Sequence, residues 1–337
     1  HVWEKLNYSL LPYHWDDRKK YGEDFYYLQN LNEVLLCEVV VELNRLHGIE
    51  RGVRYWRLIL GNWLNLYTAV VFDRWSMIKA AIEYSDDLYS KTFERSDAFL
   101  AANDTQHFLD LCHQSSAWNH CLYSEIMARY PSIRLVKLNI PIAEKSDNYL
   151  AVPKRQGLLK QLVRKSLNSI NRLKRRDHIF MLSTYLPRKE NWKIELGFQQ
   201  IPGVWSVPTL PTISYASNAR NWTLPIQQST DEFEVLVREL VPKLLPRAFV
   251  EGFDRLSEAV RQSDVHWPLS PQVIWTSGSH FSSDTFKAWA ADKCALGARL
   301  VIGEHGCFGI GAFNGSGTYQ LSVADKFLST GWQTKTA

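Results

Sequence analysis

Residues 272–317 read QVIWTSGSHFSSDTFKAWAADKCALGARLVIGEHGCFGIGAFNGSG, and this stretch decides the fold of the chain. Gln272 to Thr276 favours a short strand, and Ser282 to Ala295 has apolar residues at helical spacing. Arg299 to Ile302 is a second apolar run. Strand, helix and strand in this order predict a β-α-β unit over residues 272–305.

Polar residues and glycines follow both predicted strands. An open α/β sheet binds its ligands beyond the carboxyl ends of its strands, so these residues form the candidate site. The candidate catalytic residues are Glu304 and His305. The candidate substrate-binding residues are Ser277, Ser279, His280 and Gly306.

His305 is the strongest single candidate, because it follows an apolar strand and precedes a glycine. A histidine at a strand end suits general-base catalysis, since imidazole exchanges its proton near neutral pH. Gly306 would let a ligand approach the backbone. The alternative interpretation is a structural histidine that is buried and hydrogen-bonded within the core.

The glycine-rich loop after His305 matches a dinucleotide-binding fingerprint only weakly, because the spacing from Gly309-x-Gly311 to Gly315 is wrong. We expect a loop over a cleft instead. At the first strand end, Ser277, Ser279 and His280 could bind an anion at the start of the next helix. Equally, Ser282 or Ser283 could simply cap that helix.

The composition indicates a globular enzyme-sized chain. At 337 residues with 45% hydrophobic content, the length predicts two domains or one large domain. The net charge of +4 is too small to imply a nucleic-acid partner. No stretch approaches the roughly 20 apolar residues that a spanning helix needs, and no signal peptide is evident.

Five cysteines without a CxxC pair favour a reducing compartment, and the cytoplasm is the expected location. Cys112-His113 and His120-Cys121 lack the ligand spacing of a tetrahedral zinc site. We therefore expect polar packing around Trp118, Asn119 and His120 rather than a bound metal. The common motifs of serine hydrolases, P-loop NTPases and zinc proteases do not occur in the sequence.

The N-terminal half predicts two long helices after an irregular segment over residues 1–28. Apolar residues recur at helical spacing from Gln29, and Gly48 is a plausible end of that helix. A second helix begins near Val53 and is apolar on most sides. The charged residues within that helix are expected to form structural ion pairs. They are Arg54, Arg57, Asp73 and Arg74.

Residues 131–153, which contain prolines and polar residues, predict a boundary. It divides a mainly helical region over 1–150 from an α/β domain over 151–337. Residues 154–176 predict a basic amphipathic helix, which is either a solvated outer face or a surface for a membrane or an anionic substrate. Residues 187–226 predict loops, and helices follow over 232–245 and 248–262, with Pro242 and Pro246 breaking them.

Short motifs of distinctive composition are spread over most of the chain. They are Leu43-Asn44 with His47, Tyr55-Trp56-Arg57 with Asp73-Arg74, Trp118-Asn119-His120, Trp275-Thr276-Ser277 with His280-Phe281 and Phe286-Lys287-Ala288-Trp289, and Val301-Ile302-Gly303-Glu304-His305-Gly306. Together they resemble a family of transferases that are encoded in bacterial surface-polysaccharide loci. Its members are similar to GT-B glycosyltransferases, in which two Rossmann-like domains face each other across a cleft. The His-Gly pair also resembles capsule Kdo transferases and teichoic-acid glycerophosphotransferases, where such a histidine looks like the base that activates the acceptor.

The resemblance implies an α/β fold with a helical N-terminal region and a Rossmann-like domain that forms one GT-B half. It implies a glycosyltransferase that moves a sugar from a nucleotide-activated donor to a surface-polysaccharide acceptor, with His305 as base. The nucleotide-sugar is a substrate, and no cofactor is expected. Two alternatives stay open: a glycerophosphate or other phosphoryl-linked transferase with the same histidine, and a non-catalytic scaffold that binds carbohydrate or the inner face of the membrane through residues 154–176.

The chain departs from the family pattern in two ways. Glu304 stands where the family motif usually has glutamine before His-Gly. Family members are also longer, and this chain ends about where the second Rossmann domain should begin, near Thr330 to Trp332. The resemblance thus predicts a fragment that keeps the acceptor-side residues, lacks the nucleotide-binding half and is inactive alone.

Overall fold

The computed structural model describes residues 8–141, 179–203, 205, 207–226, 231–305 and 315–331, which form a mixed α/β fold. Its helices are α1 Arg18–His47, α2 Val53–Tyr84, α3 Thr105–Gln114, α4 Ser116–Met127, α5 Arg188–Gly197, α6 Glu232–Leu244, α7 Phe253–Asp264, α8 Ser279–Ser282, α9 Asp284–Ala295 and α10 Gly315–Val323. Its strands are β1 Leu88–Glu94, β2 Ile133–Pro141, β3 Ile179–Leu182, β4 Val273–Thr276, β5 Arg299–Gly303 and β6 Lys326–Leu328. Short 3₁₀ turns cover Asp97–Phe99, Ser217–Arg220 and Arg247–Phe249.

Helix α1 begins eleven residues earlier than its apolar periodicity predicts, so the expected irregular segment over 1–28 is wrong for residues 18–28. The side chain of Asp17 accepts hydrogen bonds from the backbone amides of Lys19 and Lys20, which caps the first turn. The helix ends as predicted, at Gly48, whose φ of +61° is the left-handed conformation that glycine adopts without strain.

Helix α2 lies at the centre of the molecule and packs against α1, α4, α9 and α10. Its range and its burial on most sides agree with the sequence prediction. The predicted structural ion pairs are also confirmed. Arg57 pairs with Glu33 of α1, Arg74 with the adjacent Asp73, and Arg54 with Asp325 beside β6. Helix α2 therefore connects the N-terminal helices to the C-terminal β-α-β region.

Strands β1 and β2 form a parallel two-stranded sheet that the sequence analysis did not predict. Helices α3 and α4 connect the two strands along the chain. Tyr89 and Val136 are exposed on this small sheet, so neither strand shows the continuous apolar run of a buried parallel strand. Residues 133–141, within the predicted boundary, are thus part of a strand.

The second sheet has the strand order β3-β4-β5-β6, and every neighbouring pair is parallel. It confirms the β-α-β unit, since α9 connects β4 to β5 and α10 connects β5 to β6. The cap prediction is also confirmed, because the hydroxyl of Ser283 accepts a hydrogen bond from the Phe286 amide at the start of α9. The short helix α8 between β4 and α9 was not predicted.

Two predictions between β3 and β4 need correction. The interval 187–226 was expected to be loop, but residues 188–197 form α5, which begins directly after Pro187. Its sequence has no broad apolar stripe, so the helical periodicity is weak. Pro242 was expected to break a helix, yet it lies inside α6 and the helix continues to Leu244. The predicted basic helix over 154–176 lies outside the described residues.

The surroundings of the Cys-His pairs show polar packing, as predicted. The Asn119 side-chain amide donates to the carbonyls of Cys112 and Ser115, each at 3.0 Å, and the Trp118 indole donates to the Leu100 carbonyl at 3.2 Å. Within the described ranges, no group of His, Cys, Asp or Glu side chains could hold a metal ion. No helix in that part of the chain is long and apolar enough to cross a membrane.

Candidate functional site

The carboxyl ends of all four strands of the larger sheet meet at one edge, which we call the strand-end site. Because the strands are parallel, the residues that follow each of them lie side by side. These residues are Ser183 to Tyr185 after β3, Ser277 to His280 after β4, Glu304 and His305 after β5, and Ser329 and Thr330 after β6. The structure thus brings the predicted site residues together, except for Gly306, which lies outside the described residues.

Ser277 and Ser279 are buried in the turn that follows β4, beside the end of β3. The backbone amide of Ser277 donates to the Ser183 carbonyl at 3.0 Å, and the Ser279 hydroxyl donates to the Ser183 hydroxyl at 2.8 Å. The Thr276 hydroxyl accepts hydrogen bonds from the amides of Gly278 and Ser279, which folds the chain sharply after the strand. Both serines therefore fix the turn, and the Ser183–Ser279 hydroxyl pair lies at the edge of the sheet.

His280 lies beneath the strand-end site and is only 1% exposed. Burial, together with the electrostatic effects of nearby Lys287 and His305, lowers its pKa from 6.5 to about 3, against a weaker opposing effect of Gln320. Its backbone carbonyl accepts a hydrogen bond from the Tyr319 hydroxyl at 3.3 Å. His280 is therefore a neutral imidazole at physiological pH, and it supplies no positive charge for an anion.

His305 is partly exposed, and two aromatic rings contact its imidazole edge to face. The Tyr185 ring centroid lies 4.6 Å from that of His305 at an interplanar angle of 81°, and the Phe281 centroid lies 5.8 Å away at 86°. Edge-to-face contacts of this kind favour one ring orientation. The imidazole is thus held in a defined position in a partly exposed residue.

Glu304 connects the ends of β5 and β6. Its backbone amide donates to the Leu328 carbonyl at 2.9 Å, which extends the strand ladder by one residue. Its carboxylate accepts hydrogen bonds from both the amide and the hydroxyl of Thr330, each at 2.6 Å. These bonds fix the backbone immediately before His305.

The turn after β3 contributes residues that the sequence analysis did not select. Ser183 and Tyr185 have φ angles of +52° and +61°, which are uncommon for residues other than glycine. Backbone strain of this kind clusters at functional sites. The Tyr185 hydroxyl lies only 2.6 Å from the position of a Cβ atom on Gly278, so a side chain there would displace the tyrosine. The sequence signal that could have identified this turn is the apolar run over residues 179–182, which is followed by polar residues.

A fully buried ion pair lies behind the strand-end site. Lys287 Nζ is 2.7 Å from a carboxylate oxygen of Asp284, and neither side chain is exposed. The lysine also donates to the Thr105 hydroxyl at 3.1 Å, and the Thr105 amide donates to Asp284 at 2.8 Å. Burial raises the pKa of Asp284, while the positive charge of Lys287 opposes that shift. This cluster joins the start of α9 to the start of α3.

Taken together, the strand-end site offers one partly exposed imidazole, a pair of hydroxyl groups and a buried neutral histidine. This set can accept a proton from a hydroxyl and donate uncharged hydrogen bonds to a ligand. No curated protein and no solved structure matches the chain. A protein-family model described as the LIC12162 family transferase matches residues 1–337, and the chain therefore belongs to this family of transferases.

Proposed function

We propose that this transferase moves a sugar from a nucleotide-activated donor to a hydroxyl of a surface-polysaccharide acceptor, with His305 as the general base. The observation that carries the proposal is the position of His305. Its imidazole lies at the carboxyl end of a parallel strand, between the rings of Tyr185 and Phe281, and is partly exposed. The motif resemblance to GT-B glycosyltransferases supplies the class of group that is transferred.

In the proposed reaction, His305 accepts the proton of an acceptor hydroxyl as its oxygen attacks the anomeric carbon of the donor sugar. The bond from that carbon to the phosphate oxygen breaks, and the nucleotide leaves with the electron pair. The Ser183–Ser279 hydroxyl pair lies at the same edge and can donate a hydrogen bond to acceptor or phosphate oxygens.

The other candidate residues position these groups. Glu304 holds the backbone before His305 through its bonds to Thr330. The neutral His280 packs under the site, and Ser277 fixes the turn after β4. Gly306 directly follows His305 in the sequence, and the proposal keeps it as a point of close approach for substrate.

Replacement of the base tests the proposal. We expect His305→Ala and His305→Gln to lower the rate of sugar transfer about 100-fold to 10,000-fold, the usual contribution of a general base. His113→Ala, which changes an exposed histidine of α3, is the matched control and should leave the rate unchanged. The assay uses this chain and a longer family member with a panel of nucleotide-sugars.

Near-normal transfer by the His305 variants would refute the assignment of the base. The donor panel should also contain a nucleotide-activated glycerophosphate. Transfer from that donor alone would replace the glycosyl assignment with the phosphoryl-linked alternative, in which the same histidine activates the acceptor.

A further inference from the structure

A cavity of about 200 Å³ opens beside the end of β3, between that strand and helix α5. Its polar and aromatic lining consists of Ser183, Arg188, Asn191, Trp192, Glu195 and Trp205. We call it the α5 pocket. Of its lining residues, the proposed reaction uses only Ser183, through which the pocket adjoins the strand-end site.

The α5 pocket and the strand-end site share the turn after β3. Ser183 lines the pocket, and its hydroxyl accepts a hydrogen bond from Ser279 on the next strand end. Tyr185, two residues further along, contacts the ring of His305. A ligand held in the pocket can therefore extend along this turn to the imidazole. This continuity makes the pocket a candidate for the acceptor rather than for a remote ligand.

Arg188 is exposed and brings a positive charge to the pocket. The Arg188 guanidinium lies 5.7 Å from the ring centroid of Trp192 and forms no ion pair with any described carboxylate. The only acidic residue among the lining residues, Glu195, is buried and accepts the Gly203 amide through both oxygens, at 3.1 and 3.3 Å. A guanidinium in this setting favours a ligand with a carboxylate or phosphate group.

The remaining groups suit a sugar ring. The Asn191 side-chain oxygen accepts a hydrogen bond from the Thr184 hydroxyl at 2.8 Å, which leaves its amide nitrogen to donate to a ligand. Trp192 is 38% exposed and presents aromatic surface beside these donors. An aromatic ring combined with a few directed hydrogen-bond donors is a common arrangement in small-ligand pockets. The volume of about 200 Å³ has room for one pyranose ring.

We propose that the α5 pocket binds an anionic monosaccharide unit of the acceptor, with Arg188 binding the charge, Asn191 a ring oxygen or hydroxyl, and Trp192 the apolar face of the sugar. That this sugar belongs to the acceptor rests on the proposed function. The binding of an acidic sugar does not, because it follows from the pocket alone.

Direct binding to the 337-residue chain tests the proposal, with glucuronic acid, glucose 6-phosphate and glucose as probes in titration calorimetry or saturation-transfer NMR. We expect a charged sugar to bind about tenfold or more tightly than glucose, since hydrogen bonds to charged groups are the strong ones. Arg188→Gln should remove this preference, and Trp192→Ala should weaken all three sugars several-fold. Lys189→Gln removes the same charge next to Arg188 but outside the pocket lining, and should change nothing.

Comparison of the two charged probes identifies the favoured anion, carboxylate or phosphate. Equal binding of charged and neutral sugars, or an unchanged preference in Arg188→Gln, would overturn the proposal. So would tight binding of a free nucleoside diphosphate that Trp192→Ala abolishes, because the pocket would then belong to the donor. Melting curves of each variant exclude unfolding as the cause of any loss.

The same variants test the α5 pocket and the proposed base independently of each other. His305→Ala should bind the charged sugar as the unchanged chain does, because His305 does not line the pocket. If His305→Ala transfers sugar normally while Arg188→Gln loses binding, the base assignment fails and the pocket assignment stands. The opposite result would leave the base in place and remove the pocket.

Discussion

Polar groups are arranged differently in two regions of the molecule. One is the helical layer formed by α1, α2 and α6, and the other is the strand-end site. In the helical layer, Arg238 of α6 pairs with Glu38 of α1 through two hydrogen bonds of 2.9 Å. Asn32 donates to Asn65 at 2.6 Å and accepts from Thr68 at 2.8 Å. These polar groups satisfy one another within the protein, and in this sense we call the layer closed.

The strand-end site keeps its polar groups open to a ligand. His305 is partly exposed, Tyr185 is 66% exposed with a φ of +61°, and the buried His280 has a pKa of about 3. Strained backbone reduces stability at every pH, whereas the uncharged buried imidazole reduces it only at acidic pH, where the unfolded chain binds a proton. Behind the open edge, the pair of Lys287 and Asp284 is again closed, because both charges are fully buried and paired with each other.

The largest expected effect concerns that ion pair. Lys287→Met leaves the carboxylate of Asp284 without its buried cation, and we expect a loss of about 3 to 5 kcal/mol in the free energy of unfolding. Urea denaturation measures it. Lys293→Met is the matched control on the same helix, because Lys293 also pairs at 2.7 Å but its partner Asp264 keeps a 30% exposed side chain. The control should lose distinctly less stability.

If Lys287→Met and Lys293→Met cost the same, burial of the first pair would not be what matters. The buried pair behind the strand-end site would then contribute no more to stability than a partly hydrated pair.

The next effect in size is a pH dependence that comes from His280. Its folded-state pKa of about 3 lies below the ordinary 6.5, so the unfolded chain binds the proton more readily. Stability is therefore fully present above pH 6.5 and is lost as the pH falls toward 3. Each unit of pKa shift corresponds to about 1.4 kcal/mol, so this residue should remove about 2 kcal/mol between pH 8 and pH 5.

The variant His280→Gln isolates this contribution from other groups, such as His47, whose pKa burial also lowers. We expect the unfolding free energy of the variant to fall about 2 kcal/mol less than that of the unchanged chain over the same pH range. Parallel pH curves for the two proteins would show that His280 is charged or hydrated in the folded state. The strand-end site would then contain a positively charged His280.

Local sequence patterns predicted most of α1 and the range of α2 in the helical layer. The apolar residues of α1 and α2 recur with helical spacing, and Gly48 marks the end of α1. The start of α1 was missed because residues 18–28 carry aromatic and charged side chains without a sustained period, and only the cap at Asp17 signals the helix. Strands β1 and β2 were missed because a two-stranded sheet with exposed side chains lacks the pattern of a buried strand.

Only part of the strand-end site could be predicted from the sequence. Ser277, Ser279, His280, Glu304 and His305 could be found because they follow two strands that are close in the chain and form one β-α-β unit. The turn at 183–185 follows a strand that lies about ninety residues earlier in the chain, and only the pairing of β3 with β4 brings it to the site. Periodicity carries no information about that pairing, nor about positive φ angles at Ser183 and Tyr185.

The smallest expected change in stability tests whether Tyr185 positions His305. A Cβ on Gly278 would meet the end of the exposed Tyr185 side chain, which can move away, so Gly278→Ala should change the free energy of unfolding by less than about 1 kcal/mol. Transfer should nevertheless fall about tenfold, because displacement of the tyrosine releases one side of the imidazole. Stability and rate are measured on the same preparation.

Gly303→Ala is the contrasting variant, since its Cβ would press on the Ser277 hydroxyl, which is buried and cannot move freely. Overpacking of this kind costs about 1 to 3 kcal/mol. Tyr185→Leu combined with Gly278→Ala removes the clash, but the ring contact with His305 is still lost, so transfer should stay low. A Gly278→Ala variant with normal transfer would show that His305 is held in place without Tyr185, and the strained turn after β3 would then serve the α5 pocket alone.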